Sequence, residues 1–132
     1  MRICTRSYSL KITGGKSDVI EYIKELQHKT SKEDRIKSEK ISAYFDKLKE
    51  IGQKLGEPFV KKINIDLWEL RPLKDRFMFA YIKDDTIVVL TYFRKSTQTT
   101  PKSEIERAEI RLKRFKEKGD DYDGMGRIKK RF

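Results

Sequence analysis

Cysteine occurs once in this chain, as Cys4, so no intrachain disulfide can form. Histidine also occurs once, as His28, which leaves too few thiolates and imidazoles to build a zinc site. Apolar residues never run on for the about 18 positions that a membrane-spanning helix requires. The first residues lack the apolar stretch of a signal peptide, so a cytoplasmic protein without a membrane partner is the expectation.

What the chain does have is charge. Lys and Arg number 32 against 21 Asp and Glu, a formal net charge of +11. An excess of that size in a small chain argues for a polyanionic partner: RNA, DNA, an acidic membrane surface or an acidic protein. Charged residues make up 40% of the sequence, which fits a heavily solvated helical surface. With 132 residues, seven Phe, six Tyr and one Trp, the chain suits one modest core. We read a single domain over residues 1–118, followed by a basic, Gly-rich tail over 119–132 that is expected to be mobile.

Periodicity assigns the elements. Residues 2–12 carry β-branched and aromatic side chains and end at Gly14-Gly15, which predicts an edge strand. Val19, Ile20, Ile23 and Leu26 form one stripe of a helix over about Ser17 to Lys29. Thr30 or Ser31 is placed to cap a second helix, with Glu33 and Asp34 where a capping box needs them. That helix runs to about Leu55, with Ile41, Tyr44, Phe45, Leu48 and Ile51 on one side, and the short connection makes the pair a hairpin. Strand periodicity then predicts strands at about 64–71, 75–83 and 86–94, turned by Pro72-Leu73-Lys74-Asp75 and by Lys83-Asp84-Asp85-Thr86. Thr100-Pro101 reads as a helix start, with Thr at the cap and Pro at the first helical position. Ile105, Ala108, Leu112 and Phe115 recur at helical spacing after it. The order is β-α-α-β-β-β-α, an α+β fold with a small antiparallel sheet flanked by helices.

The two turns imply a register. Arg71 falls opposite Arg76, Leu70 opposite Phe77 and Trp68 opposite Phe79; Arg76 falls opposite Phe93, Phe77 opposite Tyr92 and Phe79 opposite Leu90. Side chains alternate between faces. One face therefore takes Trp68, Leu70, Phe77, Phe79, Tyr81, Val88, Leu90 and Tyr92. The other takes Leu67, Ala80, Ile82, Ile87 and Val89 at one end, and Glu69, Arg71, Arg76, Met78, Thr91 and Phe93 at the other. Facing arginines destabilise a sheet unless something anionic neutralises them. Glu69 can do this structurally and a phosphate can do it functionally. The donor-rich segment Arg94-Lys95-Ser96-Thr97-Gln98 follows, and Lys74 lies in the neighbouring turn. Arginine forks match phosphate geometry and an aromatic ring offers a base a stacking surface, so the row reads as a single-strand RNA site. Phe93 closing the core edge is the plainer alternative.

Other signals carry less. Gly15-Lys16-Ser17 resembles the end of a phosphate-binding loop, but the earlier glycine that the motif needs is Leu10. His28 suits the C-terminus of the first helix as a surface charge, and Cys4 has no evident base beside it.

Further residues point to a family. Leu55-Gly-Glu-Pro-Phe-Val-Lys-Lys-Ile63 leads to Leu67-Trp-Glu-Leu-Arg-Pro72 and Asp75-Arg-Phe-Met-Phe79. Val88-Val-Leu-Thr-Tyr-Phe-Arg-Lys95 and Thr97-Gln-Thr-Thr-Pro-Lys-Ser-Glu-Ile-Glu-Arg-Ala108 complete the pattern. From about Leu55 to Leu112 the chain closely resembles phage-derived, HigB-type toxins of the RelE/ParE superfamily. The resemblance implies a RelE/ParE-like fold and a type II toxin that cleaves messenger RNA in the ribosomal A site. It also implies contact with ribosomal RNA and neutralisation by a helix-turn-helix, HigA-like antitoxin in a heterotetramer. No cofactor is implied. Arg71 and Arg76 match the two arginine positions of RelE-like sites, and Lys95 a basic position after the last strand. Ser96 stands where another Lys is frequent and Thr91 where a His is frequent, which leaves proton transfer without an assigned residue. Glu69, Arg71, Arg76 and Lys95 are the expected catalytic set; Lys74, Phe93, Arg94, Ser96, Thr97 and Gln98 are the expected RNA contacts. Two rival functions share the pattern: a ParE-like gyrase inhibitor, and a nucleic-acid-binding module without catalysis.

Overall fold

The computed structural model describes residues 8–12, 18–83, 86–96 and 99–118. The start of the expected first strand, Cys4, Gly14 to Ser17, the Asp84-Asp85 turn, Thr97, Gln98 and the tail over 119–132 lie outside these. Strand β1 (Ser9–Ile12) is followed by helices α1 (Asp18–Gln27) and α2 (Lys32–Ile51), and a 3-10 turn continues α2 through Gly52–Lys54. Strands β2 (Val60–Lys62), β3 (Trp68–Leu70), β4 (Asp75–Lys83) and β5 (Thr86–Arg94) come next, then helix α3 (Lys102–Lys118). Five strands form one sheet in the order β1-β5-β4-β3-β2.

The expected α+β architecture is present, with two departures. The sheet is mixed rather than antiparallel, because β1 lies parallel to β5, pairing Ser9 with Thr86 through Ile12 with Val89. Alternation in a sequence has the same period in either direction, so it cannot report this. The strand expected over 64–71 is confined to β3, and an unexpected strand, β2, precedes it and pairs with it as a hairpin, with Val60 opposite Leu70 and Lys62 opposite Trp68. Its loop is an Asx turn: Asn64 Oδ1 accepts from the amides of Asp66 and Leu67, both at 2.9 Å. Two lysines give edge strand β2 a charged character that discourages pairing with a further chain. Lys62 Nζ also lies 5.3 Å over the Trp68 ring.

The sheet is buried on both faces. Val19 and Leu26 of α1 and Ile41, Phe45 and Leu48 of α2 pack on one face, against Val60, Leu70, Phe77, Phe79, Ile87 and Val89. Ala108, Leu112 and Phe115 of α3 cover the other face, against Leu67, Met78, Ala80, Val88 and Leu90. Ile51, expected on the apolar stripe of α2, is 36% exposed, since it falls where the helix tightens into its last turn. Ser31 is the α2 cap, accepting from Asp34 N at 3.1 Å.

Register between β4 and β5 is as expected at both ends and shifted by one between them. Arg76 pairs with Phe93, Phe77 with Tyr92 and Met78 with Thr91, but Phe79 pairs with Val89 rather than Leu90. The shift is a bulge at Leu90, and a second irregularity between Tyr81 and Lys83 restores the count. Between the two, Ile87 and Val89 face the helical hairpin, and Val88 and Leu90 face α3. These four residues are therefore on the faces opposite to those expected.

The bulge sits just past the end of β1, where β5 has carbonyls to spare on its open side. Arg111 Nη1 donates to Leu90 O at 2.8 Å and Arg107 Nη2 to Tyr92 O at 3.1 Å. The same two guanidiniums hold Asp18 at the start of α1, each at 2.7 Å. One clamp thus ties α1, β5 and α3 together beside the end of the sheet that carries the arginines. On the other side, Gly52 has a φ of +70° and its position for a Cβ is filled by the Tyr8 ring. Tyr8 N donates to Lys49 O at 2.7 Å, so the entry to β1 is seated on the end of α2.

Candidate functional site

The Pro72–Asp75 turn sets up the site. Asp75 N donates to Pro72 O at 2.9 Å, and Leu73 takes the left-handed conformation with a φ of 57°. Such a conformation costs a non-glycine residue about 1–2 kcal/mol. The turn is supported by Arg76, whose Nη1 donates to Leu73 O and to Asp75 O, each at 2.9 Å. The arginine side chain therefore folds back over its own turn and is 5% exposed.

The β3–β4 ladder ends at Leu70–Phe77, so Arg71 and Arg76 follow directly on the last pair. Between them lies Glu69, 2% exposed. Its Oε1 is 3.4 Å from Arg71 Nε and 3.9 Å from Arg76 Nε. Of the two neutralisers considered, Glu69 is in place, although Arg71 and Arg76 lie beyond the last pair of the ladder rather than as a registered pair. Both contacts exceed the about 2.7–2.9 Å of a charge-assisted hydrogen bond, so the carboxylate offsets the charges without closing on either fork. Arg71 Nε is buried yet makes no hydrogen bond, and the Arg71 side chain is 24% exposed. Burial lowers the Arg76 pKa, Arg71 lowers it further, and Glu69 and Asp75 oppose them. A guanidinium stays protonated despite this, so the site keeps two cations against one carboxylate.

Glu69, Arg71, Arg76, Phe93, Lys95 and Ser96 line one shallow depression, together with Thr99, Thr100 and Pro101. Six residues singled out in the sequence therefore meet. Lys74 and Arg94 are exposed and do not line it, although Lys95 N donates to Lys74 O at 2.8 Å and brings the turn and the strand end together. Thr97 and Gln98 lie outside the described residues. Phe93 has a double position: it packs against the α3 core and also borders the depression. Thr91 is fully buried, with its hydroxyl unpartnered, and is not among the lining residues.

The sequence predicts Thr100 as a helix cap, but its Oγ1 donates to Glu69 Oε2 at 2.8 Å. Helix α3 begins one residue later than expected, and Pro101 O takes the first amides, from Glu104 at 3.1 Å and Ile105 at 3.2 Å. A threonine before a proline gives only the local signal, so its partner in β3 was not legible.

The opposite face of the same sheet end holds a second polar group. Asp75 is 1% exposed and accepts from Tyr22 Oη at 2.7 Å and Tyr92 Oη at 2.9 Å. The two rings stack with centroids 3.9 Å apart. Burial, and then the bond to Asp75, raise the Tyr22 pKa well above its ordinary value. Tyr92 is pushed up to about 12, chiefly by burial, with the Tyr22 bond opposing and Asp75 adding to it. This group anchors α1 beneath the arginines.

Residues 16–113 match the family profile described as phage-derived protein, Gp49-like (DUF891), which covers well over half of the chain. No curated protein matches the sequence. No helix among the described residues is long and apolar enough to cross a membrane.

Proposed function

Because the chain belongs to the phage-derived Gp49-like family, a family of RelE/HigB-like toxin-type proteins, we propose that it is a type II toxin cleaving messenger RNA in the ribosomal A site. The observation that carries this reading is the convergence of Arg71 and Arg76 on one buried carboxylate that neutralises them loosely. The site keeps a net positive charge and a partly exposed guanidinium, which suits a phosphodiester.

The chemistry is attack of a 2′-hydroxyl on the adjacent phosphorus, which forms a 2′,3′-cyclic phosphate as the P–O5′ bond breaks, releases the hydroxyl proton to solvent and needs no metal ion. Arg71 and Arg76 hold the scissile phosphate and offset the charge that builds on it in the transition state. Lys95, half-buried on the rim, stabilises that charge or protonates the departing 5′-oxygen. The accessible edge of Phe93 offers a surface for a base, while the rest of its ring belongs to the core. Glu69 has one oxygen on Thr100 and the other between two guanidiniums, an arrangement that favours orienting the arginines over general-base work. Lysines on α2 and α3 would grip ribosomal RNA. The partner that neutralises the toxin would be a HigA-like, helix-turn-helix antitoxin, bound as a heterotetramer.

The test is induction of the wild type and of Arg71→Ala in growing cells, with mapping of transcript ends. Codon-phased cuts are expected from the wild type, and loss of about a hundredfold or more from the variant, the scale for removing one transition-state donor. Absence of cuts accompanied by DNA damage would indicate a gyrase inhibitor instead.

A further inference from the structure

Thr100 stands one residue before the start of α3, where Pro101 O takes the first helical amides. Its hydroxyl bonds a carboxylate 31 residues away in sequence. Glu104, the first-turn acid of α3, turns to Arg107 at 2.7 Å. Local helix capping therefore does not account for the Thr100 hydroxyl, and its partner is the one buried acid of the candidate site.

The terminal torsion of a glutamate is broad, so the Glu69 carboxylate has little intrinsic reason to keep its present orientation. Turned, it would offer both oxygens to one guanidinium and form the bidentate pair that arginine and carboxylate prefer. Such a pair would occupy the nitrogens that a phosphodiester needs. The Thr100 bond holds Oε2, so that only Oε1 faces Arg71 and Arg76, and then at 3.4 and 3.9 Å. We infer that Thr100 is a positioning residue: by holding Glu69 it keeps the two guanidiniums neutralised enough to fold together and open enough to bind a phosphodiester. The same bond ties the residue just before Pro101 and α3 to strand β3. This role rests on the RNA-cleavage reading above.

The experiment uses the full chain in a reconstituted translation reaction with a reporter messenger, and cleavage is read by primer extension over a range of programmed ribosomes. Thr100→Val removes the hydroxyl at nearly constant volume, and Thr100→Ser keeps it. For Thr100→Val, KM is expected to rise about tenfold or more, in line with loss of a hydrogen bond to a charged group, with a smaller change in kcat. Thr100→Ser should stay within about twofold of the wild type, because its donor survives. Adding Thr100→Val to a Glu69→Met background should change little, since that side chain no longer offers the hydroxyl an acceptor through which to act. Thr100→Ala replaces the valine variant throughout if the latter melts at lower temperature. The proposal is overturned by a valine variant with wild-type KM, by a serine variant as weak as the valine one, or by full additivity with Glu69→Met. A wild type that cuts no message overturns the cleavage reading itself, so the two failures are distinguishable.

Discussion

Replacing Glu69 by Gln removes one negative charge and almost no volume, and its consequences can be worked from the geometry. The carboxylate lies 3.4 Å from Arg71 Nε and 3.9 Å from Arg76 Nε. At an effective dielectric near 20, unit charges at such separations attract by about 4–5 kcal/mol each. Desolvation of the carboxylate offsets much of this, and removing one partner of a buried pair costs a net of about 3–5 kcal/mol. Arg71 is a quarter exposed and its charge is partly screened, so the low end, about 3 kcal/mol, is the expectation. For a chain of this size that corresponds to a melting temperature lower by roughly 10 °C. Gln keeps an acceptor for Thr100, so lost packing contributes little. The variant is left with two uncompensated guanidiniums, and an added oxyanion should restore what the carboxylate supplied. Thermal melts in increasing sodium sulfate, against sodium chloride at matched ionic strength, measure this. The variant should gain more from sulfate than the wild type does, and an anion at a hundred times its Kd restores about 2.7 kcal/mol. A variant that melts within about 1 °C of the wild type, a shift of well under 1 kcal/mol, would refute the charge balance described here. So would equal responses of both proteins to sulfate.

Further measurements probe the supports of the site. Gly52→Ala must place a methyl group in the Tyr8 ring at a left-handed φ, and should destabilise the protein by about 2–4 kcal/mol in urea unfolding. Asp18→Asn weakens both arms of the Arg107–Arg111 clamp; since these side chains are a quarter to two-fifths exposed, we expect about 1–2 kcal/mol, with faster hydrogen exchange in α1. The phenols of Tyr22, Tyr81 and Tyr92 have folded-state pKa values raised above the ordinary 10.0. The folded chain therefore holds more protons than the unfolded one above that pH, and the stability these groups contribute is complete below pH 10. It should fall as the pH rises from 10 toward the Tyr92 value of about 12. Near-ultraviolet phenolate absorbance should show these three ionising only with unfolding, whereas independent titration near pH 10 would contradict their burial.

Much of the arginine site was legible because it depends on a turn. Pro72 to Asp75 is short, and a short turn sets register locally, so the pairing of Trp68 with Phe79 followed from counting. That of Arg76 with Phe93, counted from the Lys83–Thr86 turn, holds because the two register shifts between β4 and β5 cancel. The meeting of Glu69, Arg71, Arg76 and Phe93 around one depression comes from that count. The helices were legible for a related reason: three- and four-residue spacing describes one stripe wherever the helix is later packed. Val19 with Leu26, Ile41 with Phe45 and Leu48, and Ala108 with Leu112 and Phe115 are all buried as their spacing implied.

Tertiary structure decided the rest, at the points where the governing contact is distant in sequence. A bulge at Leu90 exchanged the faces of four β5 residues, and the donors at its open side are arginines of α3 that no local pattern names. The direction of β1 followed from its docking beside β5 and on Gly52, not from its own alternation. Thr100 carried every local mark of a helix cap and was drawn off by a buried carboxylate in β3. Periods and turn lengths are local, and they were enough to assign the apolar stripes of the helices and the cations that share a row. Only the folded chain decided how the cations are neutralised, because a buried charge takes whatever partner the packing brings to it.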